Sequence, residues 1–348
     1  MKRNYGIPYM GSKNRIAKNI IDFLPAGETL VDLFGGGGAI TDCANESNKW
    51  EHIIYNELNE LPYKCFLKAL RGEYENEDRW ISKQDFTKLK DTDEYAACCF
   101  SFGNNFRNYM YNEKIEPYKR AYHYAIVLDD FQPLSELFDK NTVDSLKKSV
   151  EGETDKKQRR LKFTRVLGNY IISLKGERPE NLERKERLDE LKKTVLPFET
   201  YIGNVLVNQH RKERLDELKK TVGIGRNTVR HVINNQEQKE RLDELKKEQV
   251  DNITFFNKDY RCVPIPNNAI IYCDIPYKNT GTYNKEAFDY ESFYSWCEEK
   301  ARQGYKVYIS EYAMPEDRFE CVKEINSTSC FAQTKKSKVI EKIFIPKL

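Results

Sequence analysis

The chain has 348 residues, 39% of them hydrophobic and 12% aromatic, a composition that supports a packed core and excludes a wholly disordered protein. Its 58 basic and 55 acidic residues leave a net charge of only +3, so any surface that binds nucleic acid must be a local basic patch. The nine cysteines follow no metal-ligand or disulfide spacing, which predicts a reduced, cytoplasmic protein without a metal, and no apolar run has membrane-spanning length.

Helices and strands alternate through the first 72 residues, where apolar spacing predicts the helices and β-branched runs predict the strands. In chain order the predicted elements are a helix over 13–23, a strand over 29–34, a helix through Ile40 and Cys43, a strand over 52–57 and a helix over 63–70. Four consecutive glycines, Gly35 to Gly38, separate the first strand from the helix that follows it.

Residues 73–175 are less regular, and their first half is rich in aromatic, amide and basic side chains. We predict a hairpin or long loop there, with 107–111 and 115–118 as its arms and 112–114 as its turn. Side chains of these types read base edges and hold phosphates, so 73–175 is interpreted as a target-recognition region. A surface hairpin with core tyrosines is the alternative.

An internal repeat follows, in which the sequence Lys-Glu-Arg-Leu-Asp-Glu-Leu-Lys-Lys occurs three times. The copies begin, 27 residues apart, at Lys185, Lys212 and Lys239. Each unit has a helix–turn–helix pattern, so 176–250 is interpreted as a helical insertion. Arg226 and Arg230 occupy a segment that resembles a DNA-recognition helix. The near balance of basic and acidic residues equally fits a solvated insertion that contacts no DNA.

The α/β pattern resumes after residue 250. The predicted elements are strands over 253–256, 269–273, 306–310 and 338–345, and a helix over 290–303. The fold class is therefore α/β. We expect a Rossmann-like sheet formed by 1–72 and 251–348, with the mainly helical region 73–250 inserted between its two halves.

The glycine-rich turn predicts a ligand site, since it lets backbone N–H groups approach a bound molecule. Gly38 is followed by Ala39 and Ile40, so the turn is not a phosphate-binding P-loop. Asp32 precedes the turn, and Glu57 ends the next strand, where an acid typically accepts ribose hydroxyls. Acids without a phosphate-binding lysine favour a nucleoside without phosphates, such as S-adenosylmethionine. A flexible glycine linker is the alternative.

A second candidate site is Asp274-Ile275-Pro276-Tyr277, directly after a buried strand. A carboxylate and a backbone carbonyl each accept one N–H of a nucleobase amino group, and a ring stacks on the base. A strand end with a proline turn and a core tyrosine is the alternative. The N-terminal segment Tyr9 to Lys13 is, on spacing alone, an ordinary loop.

Taken together, these segments resemble the motifs of the Dam-like, alpha-group N6-adenine DNA methyltransferases of bacteria and phages. Tyr9-Met10-Gly11-Ser12-Lys13 resembles their N-terminal motif, and Asp32 to Gly38 resembles their Phe-x-Gly-x-Gly cofactor loop. Glu57-Leu58-Asn59 resembles their acidic ribose motif, and Asn257 to Tyr260 resembles the segment that contacts the cofactor adenine. Asp274 to Tyr277 takes the place of their Asp-Pro-Pro-Tyr motif. The resemblance covers 1–72 and 251–348 and is absent over 176–250.

The resemblance implies site-specific transfer of a methyl group from S-adenosylmethionine to N6 of a flipped adenine in double-stranded DNA, without a metal. The catalytic residues it implies are Asp274, Ile275, Pro276 and Tyr277. The cofactor-binding residues it implies are Tyr9, Gly11, Lys13, Asp32, Phe34, Gly36, Gly38, Glu57, Asn59 and Asp259. The residues expected at the DNA are Asn105, Arg107, Tyr109, Tyr111, Lys114, Lys119, Arg120, Arg226 and Arg230.

One departure from the family pattern leaves an alternative function open. Ile275 stands where the family has proline; it keeps the backbone carbonyl but loses the fixed φ of proline. The alternative is a catalytically inactive DNA-binding protein that retains the methyltransferase fold. Similar motifs also serve N4-cytosine and glutamine-N5 transfer, whereas the incomplete glycine spacing disfavours an NAD-dependent oxidoreductase. The sequence indicates neither a recognition site nor a companion restriction endonuclease.

Overall fold

The computed structural model describes residues 4–176, 234–246, 250–277, 288–328 and 338–348. The chain divides into two compact units. The first consists of Met1–Glu77, Lys83–Met110 and Glu237–Leu348, and the second of Asp78–Ser82 and Tyr111–Gln236. The first two copies of the repeat, with Arg226 and Arg230, lie outside the described residues, so their contact with DNA stays a prediction.

Seven described strands form one sheet in the first unit. In chain order they are Gly27–Asp32 (β1), Trp50–Asn56 (β2), Ile253–Phe256 (β3), Ile270–Asp274 (β4), Lys306–Glu311 (β5), Phe319–Thr328 (β6) and Lys338–Pro346 (β7). Their order is β3-β2-β1-β4-β5-β7-β6, with β1 to β5 parallel and β7 antiparallel to β5 and β6. This topology confirms the predicted Rossmann-like α/β fold.

The central strands β1, β4 and β5 contain consecutive buried residues because both faces of a parallel sheet are covered. Val31 of β1, Ile271 of β4 and Ile309 of β5 are fully buried in one core cluster. Both β1 and β4 then end in a carboxylate, Asp32 and Asp274 respectively. The chain order reverses between these neighbouring strands, and ligands of open α/β sheets bind at the carboxyl ends of strands at such a point.

Helices connect and flank the strands of the first unit. They are Ala17–Phe23 (α1), Ala39–Ser47 (α2), Glu60–Leu70 (α3), Lys83–Leu89 (α4) and Glu94–Cys99 (α5), preceded by a 3-10 helix at Lys13–Arg15. The predicted helix over 13–23 is therefore divided in two. A further helix, Tyr290–Arg302, links β4 to β5, and Asp289 caps it by accepting the Ser292 N–H at 3.0 Å.

The second unit is helical in its described part. Its helices are Glu116–Val127 (α6), Gln132–Ser135 (α7), Lys140–Val150 (α8) and Lys156–Gly176 (α9). They enclose a core that includes Tyr122, Leu146 and Phe163. The buried Arg159 donates to the carbonyls of Ala125 and Ile126 at 2.7 and 2.8 Å, which satisfies acceptors at the end of α6.

The third copy of the repeat forms part of the helix Asn234–Asp243 (α10) and the turn after it, so the helix from Tyr290 is α11. Arg241 donates to the backbone carbonyls of Tyr5 and Gly6 at 2.9 and 3.1 Å. Leu242 and Leu245 are buried. These residues are integral to the first unit, so this copy is not a solvated insertion.

One expectation about secondary structure was wrong, and one strand was missed. Residues 115–118 do not form the second arm of a hairpin, because α6 begins at Glu116 with Pro117 in its first turn. Proline is favoured there, since the N–H it lacks would have no helical partner. Strand β6 was not predicted at all. Within 101–111, a single isolated bridge joins Ser101 to Tyr109.

Candidate active site

The glycine-rich turn lies between β1 and α2, packed against two core aromatic rings. Gly36 and Gly38 have φ of +51° and +73°, a region that side chains disfavour. A Cβ on Gly38 would approach the Phe66 ring to 2.4 Å, and one on Gly35 would approach Tyr55 to 2.2 Å. Glycine is therefore required on steric grounds, and the flexible-linker alternative is excluded.

Glu57 holds this turn from the end of β2. Its Oε2 accepts the Gly36 N–H at 2.8 Å, and its Oε1 accepts the Asn59 N–H at 2.7 Å and the Asn59 amide at 2.9 Å. Burial raises the pKa of Glu57, and the hydrogen bonds from Asn59 and Gly36 oppose that rise. A carboxylate has about four acceptor positions, so these three donors leave capacity for a ligand hydroxyl.

Asp32 lies deeper, at the end of β1. Its Oδ2 accepts the Thr41 N–H at 3.2 Å and the Thr41 hydroxyl at 2.7 Å, which anchors the start of α2. Within the described part of the chain, Oδ1 is buried and accepts no hydrogen bond. Burial raises the pKa of Asp32 to about 7. An unpaired buried oxygen is costly, and a cationic ligand group would satisfy it.

Two asparagines that were not among the expected cofactor-binding residues connect the strand ends of this site. The Asn56 amide donates to the Leu33 and Lys258 carbonyls, both at 3.0 Å, and the Asn257 amide donates to the Glu57 carbonyl at 2.6 Å. They cross-link the ends of β1, β2 and β3. A polar residue that ends an apolar strand was the available signal.

Two other expected cofactor residues already have protein partners. Phe34 packs at 5.4 Å, between ring centroids, from Tyr260 within an aromatic cluster. Asp259 accepts both Nε and Nη2 of Arg261 at 2.8 and 2.9 Å, and this pairing lowers the pKa of Asp259. Its carboxylate is held at the half-exposed end of β3.

The N-terminal motif carries Lys13 to the expected catalytic segment. Tyr9 packs against the glycine turn, and Gly11 has a φ of +79°. Lys13, in the 3-10 helix, places Nζ 2.6 Å from Asp274 Oδ1 and 3.8 Å from Glu341 Oε1. Lys13 is thus close to the expected catalytic residues, although the resemblance had grouped it with the cofactor.

The segment from Asp274 to Tyr277 is fixed by neighbours on three sides. Ile275 is buried, and the Pro276 carbonyl accepts the Tyr290 hydroxyl at 2.8 Å. The Tyr277 ring packs edge-on against Tyr312 with 4.5 Å between centroids. Lys13 Nζ lies 4.7 Å from the Tyr277 centroid, and the Tyr277 hydroxyl donates to Glu341.

The charges of this cluster are interdependent. Burial raises the pKa of Asp274 to about 6; Lys13 lowers it and Glu341 raises it. Burial acts to lower the pKa of Lys13, but the Asp274 and Glu341 carboxylates outweigh burial and hold it above its usual value. At pH 7.5 the cluster therefore contains a lysine cation and an Asp274 carboxylate that is mostly ionised.

Three of the residues expected at the DNA lie in a loop of the first unit, Ser101 to Tyr109. Asn105 Oδ1 accepts the N–H groups of Arg107 and Asn108 at 2.9 and 3.0 Å, which shapes the loop. Arg107 is exposed, whereas Tyr109 is half-buried. Phe102, which sequence reasoning missed, is 65% exposed at the same loop.

The other described members of that set lie in the second unit and differ in exposure. Lys114 and Arg120 are exposed. Lys119 is only 3% exposed, and Tyr111 is buried with its ring stacked on Trp80 and its hydroxyl donating to Asn235 at 2.8 Å. The interior position of Lys119 and Tyr111 removes them from the DNA-contact set.

Several site residues were missed because the partner that identifies them is distant in sequence. Glu341 and Ser310 are buried beside Tyr277, and Tyr312 packs on its ring. A Glu-Lys pair that interrupts the apolar residues between Val339 and Ile345 was a usable signal for Glu341.

Across the described ranges no helix is long and apolar enough to cross a membrane. The same residues contain no group of three or more His, Cys, Asp or Glu side chains arranged to hold a metal ion.

No curated protein matches the chain. A family model does match it: the model described as D12 class N6 adenine-specific DNA methyltransferase covers residues 9–342. The match begins at Tyr9 and ends one residue after Glu341, so it includes Lys13, Asp274, Tyr277 and Glu341. The chain therefore belongs to the D12 class N6 adenine-specific DNA methyltransferases and is a DNA adenine-N6-methyltransferase.

Proposed function

We propose that this enzyme binds S-adenosylmethionine at the carboxyl ends of β1 to β3 and methylates an adenine flipped out of a short motif in double-stranded DNA. The observation that carries the proposal is the cluster of Lys13, Asp274 and Tyr277 beside the glycine turn. Because the substrate is DNA, we place the enzyme in the cytoplasm.

The residues around the turn fit S-adenosylmethionine chemically. That molecule has ribose hydroxyls, an ammonium and a sulfonium, and no phosphate. Glu57 retains acceptor capacity for a hydroxyl, and the unpaired Oδ1 of Asp32 suits a cationic group. Tyr9 and Asp259 border the same ends of the sheet. When bound, S-adenosylmethionine supplies an electrophilic methyl group.

Asp274 and Ile275 would act on the adenine amino group. The Asp274 carboxylate accepts one N6–H and the Ile275 carbonyl accepts the other, which turns the N6 lone pair toward the methyl group. Tyr277 stacks on the base and orients it. As the N–C bond forms and the bond from the methyl group to the sulfonium breaks, which would leave a neutral thioether, N6 must lose a proton, and the Asp274 carboxylate is placed to accept it. Base flipping makes N6 accessible.

The contacts of the motif favour an active enzyme over an inactive DNA-binding protein. Proline at position 275 would fix one φ angle, but the bond from Tyr290 to the Pro276 carbonyl and the burial of Ile275 restrain the same segment. The carbonyl that the chemistry needs belongs to the backbone and is present with either residue.

For DNA contacts we propose exposed and half-buried loop side chains of the first unit and two exposed cations of the second. They are Phe102, Asn105, Arg107 and Tyr109, together with Lys114 and Arg120. Arginine and lysine suit phosphates, and an exposed ring suits the space next to a displaced base.

Transfer of labelled methyl groups from S-adenosylmethionine to unmethylated DNA, followed by mapping of the modified bases, tests the function. We expect N6-methyladenine in one short motif. Asp274→Asn keeps the size of the side chain but removes its charge, so we expect it to abolish transfer and to leave S-adenosylmethionine binding by calorimetry unchanged. Full transfer by Asp274→Asn, or N4-methylcytosine as the product, would refute the assignment.

A further inference from the structure

A buried carboxylate on the last strand has no role in the proposed chemistry. Glu341 lies on β7 and is 4% exposed, while its strand neighbour Ile340 is exposed. Its Oε1 accepts the Ser310 hydroxyl at 2.7 Å and also the Tyr277 hydroxyl. Burying a carboxylate is costly unless it is paired, so this position is unfavourable for folding without these partners.

Glu341 is joined to both members of the reacting segment. It contacts Tyr277 directly, and it reaches Asp274 through Lys13, whose Nζ lies 3.8 Å from Glu341 and 2.6 Å from Asp274. One ammonium group is therefore shared by two carboxylates, one from β4 and one from β7. Coulombic attraction to Glu341 limits where Lys13 can place its charge next to Asp274.

We propose that Glu341 is a positioning residue for methyl transfer, holding the Tyr277 hydroxyl and, through Lys13, the Asp274 carboxylate in the arrangement that receives the adenine amino group. In this role Glu341 acts through Tyr277 and Lys13. The inference rests on the roles proposed for Asp274 and Tyr277.

The bond to Tyr277 has a direct consequence for base stacking. With its hydroxyl held by Glu341 and its edge against Tyr312, the ring is restrained before DNA binds. A restrained ring loses less rotational freedom when it stacks on the base, which favours the reactive geometry. A free ring would be restrained only at the moment of reaction.

The charge of Glu341 has a separate consequence. The charged and titratable groups that act on Asp274 or respond to it are Lys13, Glu341, Tyr277, Tyr272, Asp32 and Tyr312. Of these, Glu341 is a negative charge that raises the pKa of Asp274. Removing that charge lets Asp274 stay ionised at lower pH, so the acidic limb of the activity profile should move to lower pH.

Two variants separate the bond from the charge. Glu341→Gln keeps an acceptor oxygen for Tyr277 and removes the charge, whereas Glu341→Ala removes both. For Glu341→Ala we expect kcat to fall by about 10- to 100-fold, the range for a lost hydrogen bond to a charged group. For Glu341→Gln we expect a smaller fall in kcat and an acidic limb displaced to lower pH. Calorimetric binding of S-adenosylmethionine should be unchanged in both.

A matched control variant and a double-mutant cycle with Tyr277 complete the test. Glu324→Gln removes an exposed carboxylate from β6, the antiparallel partner of β7, where it pairs with Lys342 at 3.5 Å, and should change neither kcat nor the pH profile. In a Tyr277→Phe background, Glu341→Ala should cost less than it does alone, because the shared bond is already absent.

The possible outcomes distinguish this inference from the proposed function. If both Glu341 variants fold and show the wild-type kcat and pH profile, the positioning role is overturned. If neither variant folds, the role is also overturned, because Glu341 then serves only to support the core. If Asp274→Asn remains active, the proposed function fails whatever Glu341 does. If Asp274→Asn is inactive and Glu341→Gln is indistinguishable from wild type, only the inference about Glu341 fails.

Discussion

Replacing Lys13 by methionine should destabilise the first unit in a pH-dependent way. The substitution keeps most of the side-chain volume but leaves the Asp274 and Glu341 carboxylates without the cation at 2.6 and 3.8 Å from them. Removing one partner of a buried ion pair typically costs about 3–5 kcal/mol. A pair of unit charges about 4 Å apart is worth about 4 kcal/mol at an effective dielectric constant near 20, which is the same order.

The sign of the pH dependence follows from Asp274. Its pKa in the folded protein, about 6, already lies above the ordinary value of 3.8, and loss of Lys13 raises it further. The folded variant therefore holds a proton that the unfolded chain has released, and its stability falls as pH rises between the two pKa values. We expect Lys13→Met to lower the free energy of unfolding by about 3–4 kcal/mol at pH 8. At pH 5.5 the decrease should be smaller than at pH 8 by about 1–2 kcal/mol.

Urea denaturation followed by near-ultraviolet circular dichroism, at both pH values, measures the effect. Lys18→Met serves as the control, since Lys18 pairs with Asp22 on the surface and surface pairs contribute little. A loss below about 1 kcal/mol at pH 8, or an equal loss at pH 5.5 and 8, would refute the electrostatic reasoning.

Three further predictions concern the wild-type enzyme, the glycine turn and the DNA loop. The wild-type kcat/KM should fall about tenfold per pH unit below about pH 6, as Asp274 becomes protonated, and a flat profile down to pH 5 contradicts this. Gly38→Ala should cost about 2–4 kcal/mol in thermal or urea unfolding, because it adds a clash with Phe66 to the left-handed φ. Gly152→Ala, with φ of +70° and open space around it, should cost only about 1–2 kcal/mol, and equal losses would refute the clash. Arg107→Ala should weaken DNA binding and lower by about 1 the slope of the logarithm of the binding constant against the logarithm of the salt concentration. Arg302→Ala, at an exposed position on α11, should change neither quantity.

Four of the five parallel strands, β1, β2, β4 and β5, were predictable because each is a short run with consecutive buried residues that ends in a polar residue. Strand β6 was not, since Glu320, Lys323 and Glu324 interrupt its apolar residues, and among the described strands it pairs with β7 alone. The start of α6 was missed for a different reason: 115–118 was interpreted as an arm of a hairpin or long loop, although Pro117 also favours the first turn of a helix.

The motif residues of the candidate site were found in sequence, but their partners were not. Lys13 meets Asp274 across 261 residues, and Tyr277 meets Glu341 across 64. Local periodicity shows that a side chain faces the core, but which side chain it meets depends on strand order. The order β4-β5-β7 alone brings Ser310 and Glu341 next to the segment after β4.

The contacts of the third repeat copy bear on how the gene can vary. Arg241, which anchors α10 to the N-terminal segment, has counterparts in Arg187 and Arg214 of the first two copies, within nine identical residues. An in-frame recombination between copies removes whole 27-residue units and leaves the same anchoring sequence before β3. Alleles of different length are therefore expected to encode the same attachment to the catalytic unit.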